Sequence, residues 1–187
     1  MIFSTRILET LFIFNNISKN IKIWTSNKTS KNTQYVSIFF NIYKILYILK
    51  NNFQHFYLTL TDVCGIDISL FNLKYFFKQS LLFKYLVIFN LNNYKTFTKT
   101  LFLVFLNKNY LFSVDNLFFN ANWLERELIE FFNIHVFNKI DTRNLLLDYN
   151  FTGAPLLKTF PTEGYVELFF NFNTFSLDYI SNEFIEL

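Results

Sequence analysis

Cysteine, glycine, proline and alanine are all scarce in this chain, and each scarcity closes off a class of chemistry. Cys64 is the single cysteine among 187 residues, which excludes an internal disulfide and a cysteine-built zinc or iron–sulfur centre. The two histidines, His55 and His135, lie far apart in sequence and add no metal-ligand spacing. With three glycines and two prolines, no Gly-rich phosphate loop and no dinucleotide fingerprint is present. Alanine is confined to Ala121 and Ala154. Charge of one sign is not concentrated either. The net charge is +3 with acids and bases interspersed, which lacks the basic face that nucleic-acid binding uses. Long apolar runs are also missing. Val36–Leu49 is broken by Asn41 and Lys44, and Leu81–Leu91 by Lys84, whereas a membrane-spanning helix takes about 20 mostly apolar residues. The chain therefore reads as non-spanning.

What the sequence has in quantity is phenylalanine and tyrosine, 28 and 11 residues. Phe, Tyr, Ile, Asn and Lys have codons rich in A and T, whereas Gly, Pro, Ala and Arg need G and C. The skew reads as mutational pressure on an AT-rich genome such as an organelle's. It weakens propensity arguments, since Phe and Asn stand where other genomes use Leu or Gly. Hydrophobic residues make up 52% and mean hydropathy is +0.23. A chain of this length suits one domain with a tail and buries roughly two-thirds of its unfolded surface without covalent staples. Cys64 is expected in the core, because free cysteine is among the most buried residue types.

Periodicity divides the chain into three stretches. Residues 1–52 form an N-terminal helical and loop region: helical spacing over Ile2–Phe14, a short strand at Ile21–Trp24, and a buried helix over Val36–Leu49. The opening MIFSTRILETLFIFNN lacks the Arg- and Ser-rich, acid-poor pattern of an organelle presequence. Residues 53–137 form an α+β core. Phe53–Asp62 reads as a strand and Gly65 as a turn. Leu82–Leu91 and Thr96–Leu106 read as a hairpin across NNYK. Asp115 or Asn116 is placed to cap a short helix leading into the helix Ala121–Phe132. There Leu124, Leu128, Phe131 and Phe132 share a face, and Glu125 and Glu130 lie elsewhere. Arg126 and Glu130, four apart, are spaced to pair for about 0.2–0.5 kcal/mol. Residues 138–187 form a long irregular arm, with Gly153, Pro155, Pro161 and Gly164 crowded together, ending in a hairpin of Tyr165–Asn171 and Phe175–Ile180. The expected fold is α+β, a small mostly antiparallel sheet with two or three covering helices and a long irregular C-terminal arm.

Two motif blocks then stand out. The first holds Ala121, Asn122 and Trp123, then Glu125, Arg126, Glu127 and Glu130, then Lys139, Arg143, Leu145 and Leu146. The second holds Asp148, Tyr149, Phe151, Gly153, Pro155, Lys158, Phe160, Pro161, Gly164, Tyr165 and Glu167. In order and spacing these blocks resemble the subunit 9 family of NADH dehydrogenase, the hydrophilic 30-kDa subunit of complex I. TDVCGID at Thr61–Asp67 extends the likeness, and nothing before Phe53 carries it. Departures are Asn133 and Asn150 for glycines, Ala154 for a histidine before proline, Lys139-Ile140 for a His-Pro pair, and Leu157 for an arginine. Asn tolerates left-handed backbone, so the first two are mild, whereas Ala154 and Leu157 delete polar groups.

The resemblance implies a non-catalytic structural subunit of the peripheral arm of proton-translocating NADH:ubiquinone oxidoreductase, binding no cofactor itself. It implies a hetero-oligomer on the matrix side of the mitochondrial inner membrane. There the chain would pack on the large, 49-kDa type subunit of the quinone module and reach the membrane only through the complex. If it works in a mitochondrion, the absent presequence implies that it was made there. The motif residues, Trp123 to Glu167, would then be interface residues, where their bare pattern gives a solvated helix face, turn-fixing Arg143 and Asp148, and a structural His135. Rival expectations are an organellar nucleic-acid-binding protein and a peripheral membrane protein anchored by Ile2–Phe14.

Overall fold

A computed structural model describes residues 21–25, 33–38, 42–51, 58–69, 83–95 and 97–182. The helix expected over Ile2–Phe14 and the residues 53–57 that contain His55 lie outside this range. Strands β1 (Ile21–Thr25), β2 (Thr33–Ile38), β3 (Leu58–Asp67), β4 (Tyr85–Asn93) and β5 (Thr98–Leu106) form one sheet in the order β1-β2-β5-β4-β3. All neighbours are antiparallel except β2 and β5, which run parallel. Helix α1 (Ile42–Asn51) connects β2 to β3, so the sheet joins residues 21–38 to the 53–137 stretch. Helix α2 (Ala121–Phe132) follows the short strand β6 (Tyr110–Phe112) and precedes β7 (His135–Phe137), its parallel partner. The arm then runs without regular structure to the hairpin β8 (Val166–Asn171) and β9 (Ser176–Ser181). This is the expected α+β architecture. Among the described residues no helix is long and apolar enough to cross a membrane.

One apolar cluster ties the body together: Ile42, Leu46 and Leu49 of α1, Leu60 and Val63 of β3, Phe89 and Leu91 of β4, Phe102 and Val104 of β5, and Leu128 and Phe132 of α2. Strand alternation explains the selection, since β3 and β4 bury every second residue over much of their length. The same alternation corrects the placement of Cys64. Val63 takes the core side, so Cys64 is exposed, and its thiol donates to Asp62 Oδ2 at 3.0 Å. Burial, then the Asp62 carboxylate, push that thiol up to about 11.

Three other expectations are corrected. Val36–Ile38 belongs to β2, where it pairs with Phe102–Val104, and the helix begins at Ile42. A β-branched, alternating segment beside a helix is open to either reading, and the neighbouring strand decides it. Gly65 is no turn; it lies inside β3, opposite Val87. A Cβ there would stand 2.7 Å from the Phe132 ring and 2.9 Å from Leu128, so the missing side chain is what lets α2 lie close on the strand. Val114–Phe118 is a single turn rather than a helix, with the Leu117 and Phe118 amides both donating to the Val114 carbonyl.

Candidate functional site

Helix α2 has a buried stripe with an acid in it. Ala121, Glu125, Leu128 and Phe132 recur at helical spacing along one side and all are buried, Glu125 completely. A carboxylate there is costly unless its lone pairs are occupied. Its Oε1 accepts the Val114 amide at 2.7 Å, and its Oε2 accepts Ser113 Oγ at 2.8 Å and Lys139 Nζ at 3.2 Å. The Lys139 side chain is itself fully buried, donates to Asn122 Oδ1 at 2.9 Å and lies 4.0 Å from Asp115. Burial pushes the Glu125 carboxyl up, and the bonds from Val114, Ser113 and Lys139 offset only part of that shift.

The other charged residues of α2 reach the arm. Arg126 donates from Nε to the Arg143 carbonyl at 2.7 Å and from Nη2 to the Asn144 carbonyl at 2.8 Å. Its guanidinium also lies 3.6 Å from Asp141 and 5.8 Å from the Trp123 ring centroid. Arg143 grips Asp141 through two 2.9 Å bonds, which hold that carboxyl well below the usual carboxylate range. Glu130 accepts three successive backbone amides, those of Leu145, Leu146 at 2.9 Å and Leu147 at 3.3 Å. The expected Arg126–Glu130 surface pair is therefore not formed: both residues have backbone partners instead, and Glu130 is buried. A solvated-face reading of Glu125 and Glu130 fails for the same reason. Glu127 is half-buried on the same helix.

Further along, the Leu156 amide caps the Phe131 carbonyl at 3.1 Å, and the Lys158 amide donates to Asp67 Oδ2 at 3.0 Å. Burial acts to raise the Asp67 carboxyl, but the Lys158 and Ser69 groups outweigh it and leave its pKa lowered. Ala154 is the one residue buried as a whole between Asn138 and Asn182. Leu157, which stands for a family arginine, packs against the core. Gly153 has φ +109°, with the Phe160 ring 2.8 Å from where a Cβ would be, and Gly164 has φ +75°. Phe160 packs between Phe151 and Tyr165, at 5.9 and 5.2 Å. The Pro161 carbonyl accepts the Gly164 amide at 3.1 Å. The Asp148 carbonyl accepts Asn144 Nδ2 and the Phe151 amide, both at 3.0 Å, which fixes a turn. Asn133 is left-handed at φ 51° and caps α2, as its glycine-like position implies. Asn150 is not left-handed, so its exposed position alone makes that exchange mild.

Among the described residues no three His, Cys, Asp or Glu side chains gather as a metal site. A cleft of about 220 Å³ lies between α2 and the arm beside Asn133, Asn144 and Phe151. The carboxylate on its wall, Glu130, is already engaged by amides. His135 is exposed on β7, not enclosed as a structural histidine. The outer side of the arm is apolar: Trp123 beside it is 62% exposed, Tyr149 76% and Ile140 97%. Pro155 is half-buried, and Tyr165 and Glu167 are exposed. Motif spacing identified these residues, whereas the buried Lys139–Glu125–Ser113 set left one sequence signal, an acid within an apolar helical stripe.

Known proteins are similar to this chain in sequence and in fold. Residues 40–166 match the family described as respiratory-chain NADH dehydrogenase, 30 Kd subunit. NADH-ubiquinone oxidoreductase subunit 9 of Acanthamoeba castellanii is 33% identical over 155 residues, covering 80% of this chain and 72% of that protein. NADH-ubiquinone oxidoreductase subunit 9 of Paramecium primaurelia is 45% identical over 75 residues, 40% of this chain and 36% of that protein. A chain of an archaeal respiratory membrane complex, the membrane-bound sulfane sulfur reductase, has the same fold at a TM-score of 0.55. It is 12% identical and covers 78% of this chain and 79% of that one. The chain belongs to the 30 Kd subunit family of the respiratory-chain NADH dehydrogenase.

Proposed function

We propose that the chain is a structural, non-catalytic subunit in the peripheral arm of NADH:ubiquinone oxidoreductase, supporting the quinone module during electron transfer from NADH to ubiquinone. In this reading it sits on the matrix side of the mitochondrial inner membrane, binds no cofactor, and packs on the large 49-kDa type subunit. One observation carries the proposal. The charged side chains that look most like chemistry, Glu125, Arg126, Glu130 and Lys139, are taken up inside the chain in shaping the arm. The arm's own large apolar side chains point outward instead. Groups whose hydrogen bonds are taken up by amides, carbonyls and side chains of the same chain are poorly placed to exchange protons with a substrate. An exposed apolar surface of this kind marks a binding face.

The test is native-gel separation of gently solubilised mitochondria, with in-gel NADH oxidation and peptide sequencing of the active band. The chain is expected in that band in proportion to the other subunits. Its migration elsewhere would overturn the reading.

A further inference from the structure

The even spread of charge expected from the sequence holds for the total and fails when the chain is divided. Residues 1–108 carry thirteen Lys and Arg against three acids, a net +10. Residues 109–187 carry four against eleven, a net −7. The five-stranded sheet is thus built from the basic part, and α2 and the arm from the acidic part. One end of the sheet gathers lysines and aromatic rings. The β4–β5 turn lies there, since Asn93 pairs with both Thr98 and Leu58, and Lys99 pairs with Thr33. Helix α2 starts at the same end, where Asn120 Nδ2 donates to the Leu60 carbonyl. Just before it, Lys50 lies over the Phe118 ring, 5.0 Å from the centroid. Lys50, Lys95 and Lys99 are exposed. So are three rings on these turns: Tyr94 is 58% exposed, Phe97 78% and Phe119 93%. The acids on the segments that meet here are engaged. Asp62 accepts the Val63 amide at 2.8 Å and the Cys64 thiol, and Asp115 lies 4.0 Å from Lys139.

We infer that this end of the sheet docks on an anionic lipid surface, a contact that goes beyond the subunit reading and does not depend on it. The lysines meet the headgroups, and Tyr94, Phe97 and Phe119 enter the boundary between headgroups and acyl chains. Basic segments are drawn to such a surface, and aromatic rings settle at that depth. The type of cation separates lipid from a protein or nucleic-acid partner. Arginine is the side chain those partners select, and lysine is depleted at protein interfaces. Composition alone does not account for the lysines. Arg126 and Arg143 are kept where directional bonds to carbonyls and a carboxylate use a guanidinium. The rings sit on exposed turns, which suits a fluid surface better than a fitted pocket. The same surface repels the acidic arm, which is thereby left for the protein partner proposed above.

The test is sedimentation of the purified full chain with two kinds of vesicle, phosphatidylcholine alone and phosphatidylcholine mixed equally with phosphatidylglycerol. Binding is expected to the mixed vesicles only, and to fall as salt is raised. The pair Lys95→Gln and Lys99→Gln should weaken it about 30-fold, as two lysines at such a surface imply. Phe97→Gly should weaken it on the order of tenfold through the lost ring. Because Phe97 is left-handed at φ 51°, that glycine also relieves backbone strain, so binding falls while the unfolding midpoint rises. A substitution that merely damaged the fold would lower both. No binding to the mixed vesicles, equal binding to both kinds, or binding unchanged in both variants overturns the inference. So does displacement of the chain from the mixed vesicles by polyuridylate or polyglutamate at matched charge, which would mark a nucleic-acid or an acidic protein partner instead.

Discussion

The body and the arm are held together by different physics. In the body, two helices and a five-stranded sheet bury a continuous apolar cluster, and non-directional burial does most of the stabilising. In the arm, from residue 138 to 182, Ala154 is the one residue buried as a whole, beside the buried side chain of Lys139. Its path is fixed by directional bonds from charged side chains of the body to its backbone: Arg126 to 143–144, Glu130 to 145–147 and Asp67 to 158. Such bonds set a shape without covering apolar surface. They leave the arm's side chains available to a partner, with its backbone already ordered before binding, which lowers the entropic cost of association. The acids and arginine of the motif thus act one step behind the interface that the resemblance implied for them.

The sharpest way to break the contrast is at the junction. Lys139→Met would leave Glu125 buried without its cation, which should cost about 3–5 kcal/mol. Urea denaturation should show a large fall in midpoint. The double change with Glu125→Gln should recover most of it, because a glutamine oxygen can still accept the Val114 amide. Glu130→Ala should act on the arm alone. Losing a carboxylate from three amides should cost about 2–3 kcal/mol locally, or roughly 30- to 150-fold faster hydrogen exchange at Leu145–Leu147, with little change in β4 and β5.

The two crowded glycines separate the regions more finely. Gly65→Ala drives a methyl into Phe132 and Leu128 and should cost about 1–3 kcal/mol of global stability by overpacking. Gly153→Ala is strained at φ +109°, should cost a similar amount, and should be seen in arm proteolysis rather than in the unfolding midpoint of the body.

How much of this was readable from sequence follows the same division. The bounds Ala121–Phe132, the β4–β5 hairpin and the terminal hairpin were all legible, because each has its own local period and turn. Val36–Ile38 was not, since a parallel partner some 66 positions later (Ser37↔Leu103) decides it. The burial of Glu125 and Glu130 was not legible either. Beside Ser113 and Lys139 at Glu125, their partners are backbone amides 11 and 15 to 17 positions away, and amides leave no residue-type signal. The pairing of Glu125 with Leu128 and Phe132 on one stripe was the available clue. Composition did foretell one oddity: Phe97 and Phe175 take left-handed φ of 51° and 52° near hairpin turns, where glycine or asparagine is usual.

Acid should loosen the arm before the body at one point. The lowered Asp67 pKa means that its grip on Lys158 is fully present above the ordinary carboxylate value, about 3.9. The grip is lost as pH falls through the folded-state value. Glu125 has the opposite sign. Its raised pKa means that the folded state loses stability as pH rises from the ordinary value through the folded one, because the unfolded chain ionises this carboxyl more readily. Exchange at the Lys158 amide should therefore accelerate at low pH, and Asp67→Asn should remove that acceleration. The smallest effect is a gain. Phe97→Gly should stabilise the body, and Phe175→Gly the terminal hairpin, by about 0.5–1 kcal/mol each through relief of the left-handed backbone, measured as a raised midpoint and as slower ribbon exchange respectively.

The central claim is that α2 fixes the arm's inner side while its outer side belongs to a partner. Hydroxyl-radical footprinting of the free chain and of the assembled complex tests it most directly. The account predicts strong oxidation of Tyr149, Phe170, Leu177 and Tyr179 in the free chain and protection of all four in the complex, with Leu128 and Phe132 protected in both. Equal oxidation of those four side chains in the two states would contradict it.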